Sequence, residues 1–202
     1  MLVAIVGGSG AGKTSVAVKI KEHFGDAADI LSMDDYYKNL ESGVDPREFN
    51  FDSPKAFDFK LFIDHLKALK AGKEIHTPIY SMVTYRRESG ISKLFSPKPL
   101  IIVEGILILH TEELRELFDF SVYIDAPADE RLIRRIERDT RERGRSIESI
   151  ITQYRKFVAP SFKSFIEPQK YFCDIVLPDG VENAIGLKVI VNAIENMLKS
   201  YR

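Results

Sequence analysis

A single cysteine, Cys173, stands among the 202 residues. No intramolecular disulfide can form, and the chain suits a reducing compartment. Cys173 opens the run Cys173-Asp174-Ile175-Val176-Leu177, which favours a buried, inert thiol over a nucleophile. An excess of one charge is also missing: 29 Lys and Arg against 30 Asp and Glu leave a net charge of −1. No global field then draws the chain to nucleic acid or a membrane, and any anion site must be a local cluster. No apolar run approaches the roughly 20 residues needed to span a bilayer. Repeats, low-complexity segments and Pro/Gly-rich linkers are absent. Residue 1 leads straight into an apolar run, which leaves no room for a signal peptide. The expectation is one domain over residues 1–202, cytoplasmic, with no nucleic-acid or membrane partner. With 45% hydrophobic and 29% charged residues, the chain can bury a substantial core.

What is present begins at the first residues. Gly7-Gly8-Ser9-Gly10-Ala11-Gly12-Lys13-Thr14 fits G-x-x-x-x-G-K-[ST] and comes directly after the apolar run 2–6. A short buried strand, this loop and a helix form the setting in which backbone N–H groups cradle phosphate oxygens. Lys13 can reach the β- and γ-phosphates of a nucleoside triphosphate, and the Thr14 hydroxyl can ligate Mg²⁺. Further apolar runs at 30–33, 100–104, 120–124 and 174–177 read as buried strands. Helices are expected from Lys13 to about Phe24, after Ser53-Pro54 as far as Gly72, and from about Glu182. Alternating strands and helices predict an α/β fold, a phosphate-loop NTPase with a mostly parallel five-stranded sheet covered on both faces. Residues 73–99 break the alternation. Extended stretches at 74–80 and 83–87 predict a β-hairpin excursion, with Gly90 breaking the chain after its second stretch.

Three clusters carry chemistry. Asp34 and Asp35 come after the second strand, where a carboxylate faces the phosphate loop. One of them can accept a proton from an attacking hydroxyl and help to hold Mg²⁺. Glu104 ends an apolar strand, where a second Mg²⁺ carboxylate is expected. Arg131, Arg134, Arg135, Arg138, Arg141 and Arg145 share about 120° of helix surface, with Arg143 off that face. Leu132, Ile133 and Ile136 occupy a separate face. The expectation is a mobile helical lid over about 131–146. Its apolar face packs, its arginines reach a transferring phosphate, and Arg143-Gly144-Arg145 forms the hinge. A salt-bridged surface helix is the plainer alternative. Loop and hairpin aromatics, including Tyr36, Tyr37, Phe49, Phe51, Tyr80 and Tyr85, can stack a planar base.

Together these residues resemble the uridine–cytidine kinases, within the phosphate-loop kinases, from about Val3 to Gly180. The resemblance rests on the phosphate loop and Ser32-x-Asp34-x-Tyr36-Tyr37. It extends through Asn50-Phe51-Asp52-x-Pro54, Pro78-x-Tyr80 and Glu104-Gly105-Ile106-Leu107. It continues in Arg134-Arg135-x-x-Arg138-Asp139, Glu142-Arg143-Gly144-Arg145 and Gln153-Tyr154. It implies ATP (or GTP) and Mg²⁺, a nucleoside acceptor and assembly into a homotetramer. It implies that Asp34 is the general base, with Asp35 a bystander, and that Thr14, Asp34 and Glu104 form the metal site. Asp52 and Arg135 would hold the ribose. Phe51 and Tyr80 would wall the base pocket, with Arg145 and Gln153 near the pyrimidine. Arg138 and Arg143 would join Lys13 at the phosphates. Where the family has a base-reading histidine, this chain has Tyr85. If Arg145 or Arg87 donates into the pocket, Tyr85 is left to accept from a cytosine amine, and cytidine is expected over uridine. Another small hydroxyl acceptor (pantothenate- or ribulose-phosphate-like), or a non-catalytic nucleotide switch, are the competing functions.

Overall fold

Each expected apolar run becomes a strand of one parallel sheet in the computed structural model, which describes residues 1–200. The strands are β1 (Leu2–Gly7), β2 (Ala28–Ser32), the hairpin pair β3 (Ile75–Ser81) and β4 (Arg86–Phe95), then β5 (Leu100–Gly105), β6 (Phe120–Asp125) and β7 (Ile175–Pro178). The main sheet has five strands in the order β2-β5-β1-β6-β7, all parallel. β1 lies at its centre and is buried along its whole length. Leu2, Ala4 and Val6 pack into one apolar cluster, and Val3 and Ile5 into the other. That alternation is the period-two geometry of a strand with both faces covered.

Helices supply the covers. They are α1 (Lys13–Phe24), α2 (Phe59–Lys70), the short α3 (Glu112–Arg115), α4 (Ala128–Arg143), α5 (Ile147–Gln153), the single turn α6 (Ala159–Ser161) and α7 (Ala184–Ser200). Ile20 of α1 and Ile190 and Ile194 of α7 fill one cluster. Phe62, Leu66 and Leu69 of α2 fill the other, beneath the hairpin residues Ile75, Tyr80 and Phe95. Among the described residues no helix is long and apolar enough to cross a membrane.

Three local expectations are corrected. Ser53-Pro54 opens a single 3₁₀ turn over Pro54–Ala56, and α2 starts later, where the Asp58 carboxylate accepts from Leu61 N at 3.2 Å. Asp58 suits an N-cap as well as Ser53 does, and the isolated bridge between Tyr37 and Phe57 keeps the intervening chain extended. In the hairpin, residues 82–85 form the turn, and β4 runs on from Arg86 through Gly90 to Phe95. Pro78 faces Ser92 while Tyr80 faces Arg87, so β4 bulges, and Gly90 at φ 73° takes up the extra length. Third, α4 is inverted. Arg131, Arg135 and Asp139 are its buried side, and Ile133 is 50% exposed. Apolar residues normally choose the packed face. Here the packed face is a polar site with acceptors for Arg131 and Arg135, such as the Ala126 carbonyl, Ser9 and Gln153.

Candidate active site

The site opens beyond the carboxyl ends of β1, β2 and β5, where open parallel sheets bind ligands. β1 delivers the phosphate loop. Gly10 (φ 79°) and Gly12 (φ 95°) adopt left-handed backbone, which a glycine allows at little cost. A Cβ on Gly10 would also lie 2.3 Å from the Arg131 carbonyl oxygen, so α4 packs directly on the loop. Ala11 N donates to Gly8 O at 3.1 Å and closes the turn. Lys13, the first residue of α1, is buried and donates from Nζ to Gly8 O at 3.1 Å.

The carboxylates stand beside this loop. Glu104 is in register with Ile5 on one side and Ser32 on the other. The Ser32 hydroxyl donates to Glu104 Oε1 at 2.7 Å and accepts from Asp34 N at 3.3 Å. One hydroxyl therefore holds the Glu104 carboxylate and the Asp34 backbone, and Ser32 stands in the Ser-x-Asp spacing read from the sequence. Burial pushes the Glu104 carboxyl up, and the Lys13 ammonium pulls it back. Burial likewise pushes Lys13 down, opposed by Glu104 and Asp34. Asp35 follows Asp34 in the same short turn. Burial and then Asp34 push its carboxyl up to about 6, and it accepts from the Tyr80 backbone. It ties the hairpin to the base loop.

At the other end Phe51, Asp52, Tyr85, Arg135, Arg145 and Gln153 line the same cavity as Lys13, Thr14, Asp34, Glu104, Arg138 and Arg143. Asp52 is 5% exposed, and its Oδ2 has no hydrogen-bond partner. Burial pushes its carboxyl up, and Arg135 opposes the shift. A buried acceptor without a donor is costly, and a hydroxyl from a bound molecule would satisfy it. Asn50 steadies this loop by accepting from Asp52 N at 3.1 Å and donating to Ser161 Oγ at 2.9 Å. Arg135 donates to Ser9 Oγ (2.9 Å) and to Gln153 Oε1 (3.0 Å). Arg145 reaches the same Gln153 oxygen at 2.8 Å.

The aromatic wall is partly as expected. Tyr85 stacks on Phe51, with ring centroids 5.2 Å apart at 29°. Its backbone is left-handed, φ 57°, an unusual state for a bulky residue, and Tyr85 N donates to Ser81 O at 2.8 Å to hold it. Tyr80 does not line the cavity. It lies behind Tyr37, 5.1 Å away, as a support. Tyr37, Met82 and Ile106 line the cavity instead, and of these only Tyr37 and Ile106 fall within motifs of fixed spacing. Neither arginine offered as a pyrimidine donor is free. Arg87 donates to Tyr37 O (2.7 Å), Tyr36 O (3.1 Å), Asp58 (3.2 Å) and, from its backbone, Asn39 (2.7 Å). Arg145 serves Asp139, Gln153 and Ser149. Arg143, set apart on the helical projection, joins the cluster 3.4 Å from Asp139.

Two carboxylates and a hydroxyl beside a phosphate loop match a hard cation held by few protein oxygens and shared with phosphate. Among the described residues no group of three or more His, Cys, Asp or Glu converges on a metal site. Thr14, Asp34 and Glu104 offer the hard oxygen donors that suit Mg²⁺.

The central β1, its loop and the α4 arginines define a phosphate-loop kinase. Sequence comparison makes that particular: residues 2–186 match the Phosphoribulokinase / Uridine kinase family, and the chain belongs to it. The uridine kinase of Clostridium novyi is 41% identical over 201 residues, covering 98% of this chain and 96% of that protein. Uridine-cytidine kinase A of Dictyostelium discoideum is 40% identical over 200 residues, 98% of this chain but 40% of that longer protein. Phosphoribulokinase from Rhodobacter spheroides shares the fold, with a TM-score of 0.63 at 17% identity, over 88% of this chain and 69% of that one.

Proposed function

We propose that this kinase transfers the γ-phosphoryl group of ATP (or GTP) to the 5′-hydroxyl of a pyrimidine ribonucleoside, uridine or cytidine. The observation that carries the reading is Asp52. Its buried oxygen lacks a donor, and it lines the same cavity as Phe51, Tyr85 and Arg135. A ribose diol supplies that donor, and a flat pyrimidine suits the stacked pair of Phe51 and Tyr85. Pantothenate-like acceptors leave the wall without a ring to stack. The names of the relatives point the same way.

In this reading Asp34 accepts the 5′-hydroxyl proton on a carboxylate oxygen. The freed oxygen bonds the γ-phosphorus, and the bridging oxygen leaves on the diphosphate with its electron pair. Lys13, Arg138 and Arg143 offset charge on the transferring group. Thr14, Asp34 and Glu104 would hold Mg²⁺, which would supply positive charge beside the phosphate tail. Arg135, Arg145 and Gln153 set the nucleoside against the base. With Arg87 and Arg145 engaged elsewhere, any preference for cytidine rests on the Tyr85 hydroxyl. Self-association into a tetramer belongs to the same reading, and sedimentation velocity tests it.

The decisive experiment incubates the protein with Mg-ATP and uridine, cytidine, their 2′-deoxy forms, pantothenate and ribulose 5-phosphate, and measures ADP. Turnover with the two ribonucleosides, and poor turnover with the deoxy forms, supports the reading. Turnover only with a non-nucleoside, or none at all, rejects it.

A further inference from the structure

The lid carries a residue that none of the reaction steps uses. Asp139 is 0% exposed, and four guanidinium groups surround it. Burial alone would raise its carboxyl, but Arg138, Arg143 and Arg135 outweigh that and hold it below the usual carboxylate range. Its two oxygens are divided. Oδ1 accepts from Arg138 Nε (2.9 Å) and Nη2 (2.8 Å) and lies 3.4 Å from Arg143 Nη1. Oδ2 lies 3.3 Å from Arg145 Nη1 and 3.7 Å from Arg135 Nε.

The division matches the two halves of the cavity. Arg138 and Arg143 line the cavity with Lys13 and Asp34, and in the proposed reaction they form its phosphate side. Arg135 and Arg145 converge on Gln153 Oε1, the acceptor side of the proposed reaction, and Arg135 also reaches the phosphate loop through Ser9 Oγ at 2.9 Å. One carboxylate cannot neutralise four guanidiniums. The pairs compete for it, and Arg135 Nε has no hydrogen-bond partner.

We propose that Asp139 is a positioning residue that couples the two substrate half-sites through this shared carboxylate. Phosphate oxygens of a bound nucleotide draw Arg138 and Arg143 away from Oδ1, because bidentate arginine–phosphate pairs are strong. The Asp139 charge then falls on Arg145 and Arg135 alone. Those side chains are held in place against Gln153 and Asp52, and the nucleoside meets a preorganised cradle. Nucleotide binding thereby tightens nucleoside binding, and by linkage the reverse holds equally.

The proposal rests on the nucleoside-kinase reading, and calorimetry separates the two. Uridine and cytidine are titrated into the full chain alone, and into the chain saturated with Mg²⁺ and a non-hydrolysable ATP analogue. The expected result is binding about 5- to 20-fold tighter with the analogue, inside the usual range of coupling between sites. Asp139→Asn is expected to bring that ratio close to one. Loss of packing alone would weaken binding in both states and leave the ratio intact. Should Asp139→Asn fail to fold, Arg138→Gln is the second variant. It removes both Arg138 hydrogen bonds to Oδ1 without nucleotide and leaves Arg143 there at 3.4 Å, so unassisted nucleoside binding should tighten and the ratio should fall at least twofold. A wild-type ratio near one overturns the coupling and leaves the kinase reading standing. A ratio preserved in Asp139→Asn, or in Arg138→Gln where the first variant does not fold, also overturns it. No nucleoside binding in any state overturns both.

Discussion

Single side chains decide the chemistry, and three of them can be tested one at a time. Asp34→Asn is expected to lower turnover by roughly 10²–10⁴-fold, the scale of a lost general base, while ATP binding, measured by calorimetry, persists. Asp35→Asn keeps an acceptor for Tyr80 and should cost far less; the reverse ranking would make Asp35 the base. Asp52→Ala should weaken ribonucleoside binding by about 1.5–3 kcal/mol, the worth of a hydrogen bond to a charged group. It should also erase the distinction between cytidine and deoxycytidine, read as a ratio of KM values. Tyr85→Phe removes one hydroxyl and keeps the stack on Phe51. We expect the cytidine-to-uridine ratio of kcat/KM to fall several-fold, in line with about 1 kcal/mol for one hydrogen bond. An unchanged ratio would make Tyr85 a wall and nothing more. At this scale the sequence was most informative where a motif has fixed spacing, as in the phosphate loop, Asp34 and Glu104. Ser32 belongs to such a motif, yet its double hydrogen bond depends on β2 lying beside β5. Arg87 could not be assigned from spacing, since its acceptors are carbonyls on another loop.

Among the elements, the main strands were legible because buried parallel strands read as continuous apolar runs. α4 was legible as a helix and misread in orientation. A helical projection ranks faces by hydrophobicity, and it has no way to register acceptors such as the Ala126 carbonyl. That carbonyl accepts from Arg131 Nε at 3.1 Å, while the guanidinium lies 3.8 Å from the Phe162 ring centroid. The inversion predicts an unusual stability pattern. Ile133→Gln should change urea stability by no more than about 0.5 kcal/mol, as exposed substitutions do. Arg131→Met should cost about 1–3 kcal/mol, through the lost buried hydrogen bond and cation–π contact. The opposite order would restore the apolar-face packing expected from sequence. The hairpin was misread for a related reason. Its register depends on a bulge opposite Pro78 and Tyr80, and periodicity alone does not report bulges.

Over the whole molecule, two histidines outside the cavity make stability depend on pH. Burial, the largest influence on each, pushes both His65 and His110 below the ordinary histidine value, aided at His110 by Arg115. Each folded form therefore binds fewer protons than the unfolded chain near and below pH 6.5. Stability then rises with pH through that window and declines as the pH falls below it. Asp35, raised to about 6, acts in the opposite sense, so the histidine part is read as a difference: between pH 7.5 and 5.5 the urea midpoint should fall relative to that of His65→Gln with His110→Gln, and an equal pH response in the two proteins rejects the assignment. The order of strands has a further consequence, for synthesis. β1 emerges first, yet both its lateral partners are β5 and β6, beginning at residues 100 and 120. A nascent chain must carry an unpaired apolar strand, with the phosphate loop attached, until about half its length has been made. Closing so long a loop makes the central pairing a late and slow event. Nucleotide therefore meets no formed cradle early in translation, and the growing chain is most open to aggregation in the interval before β5 arrives.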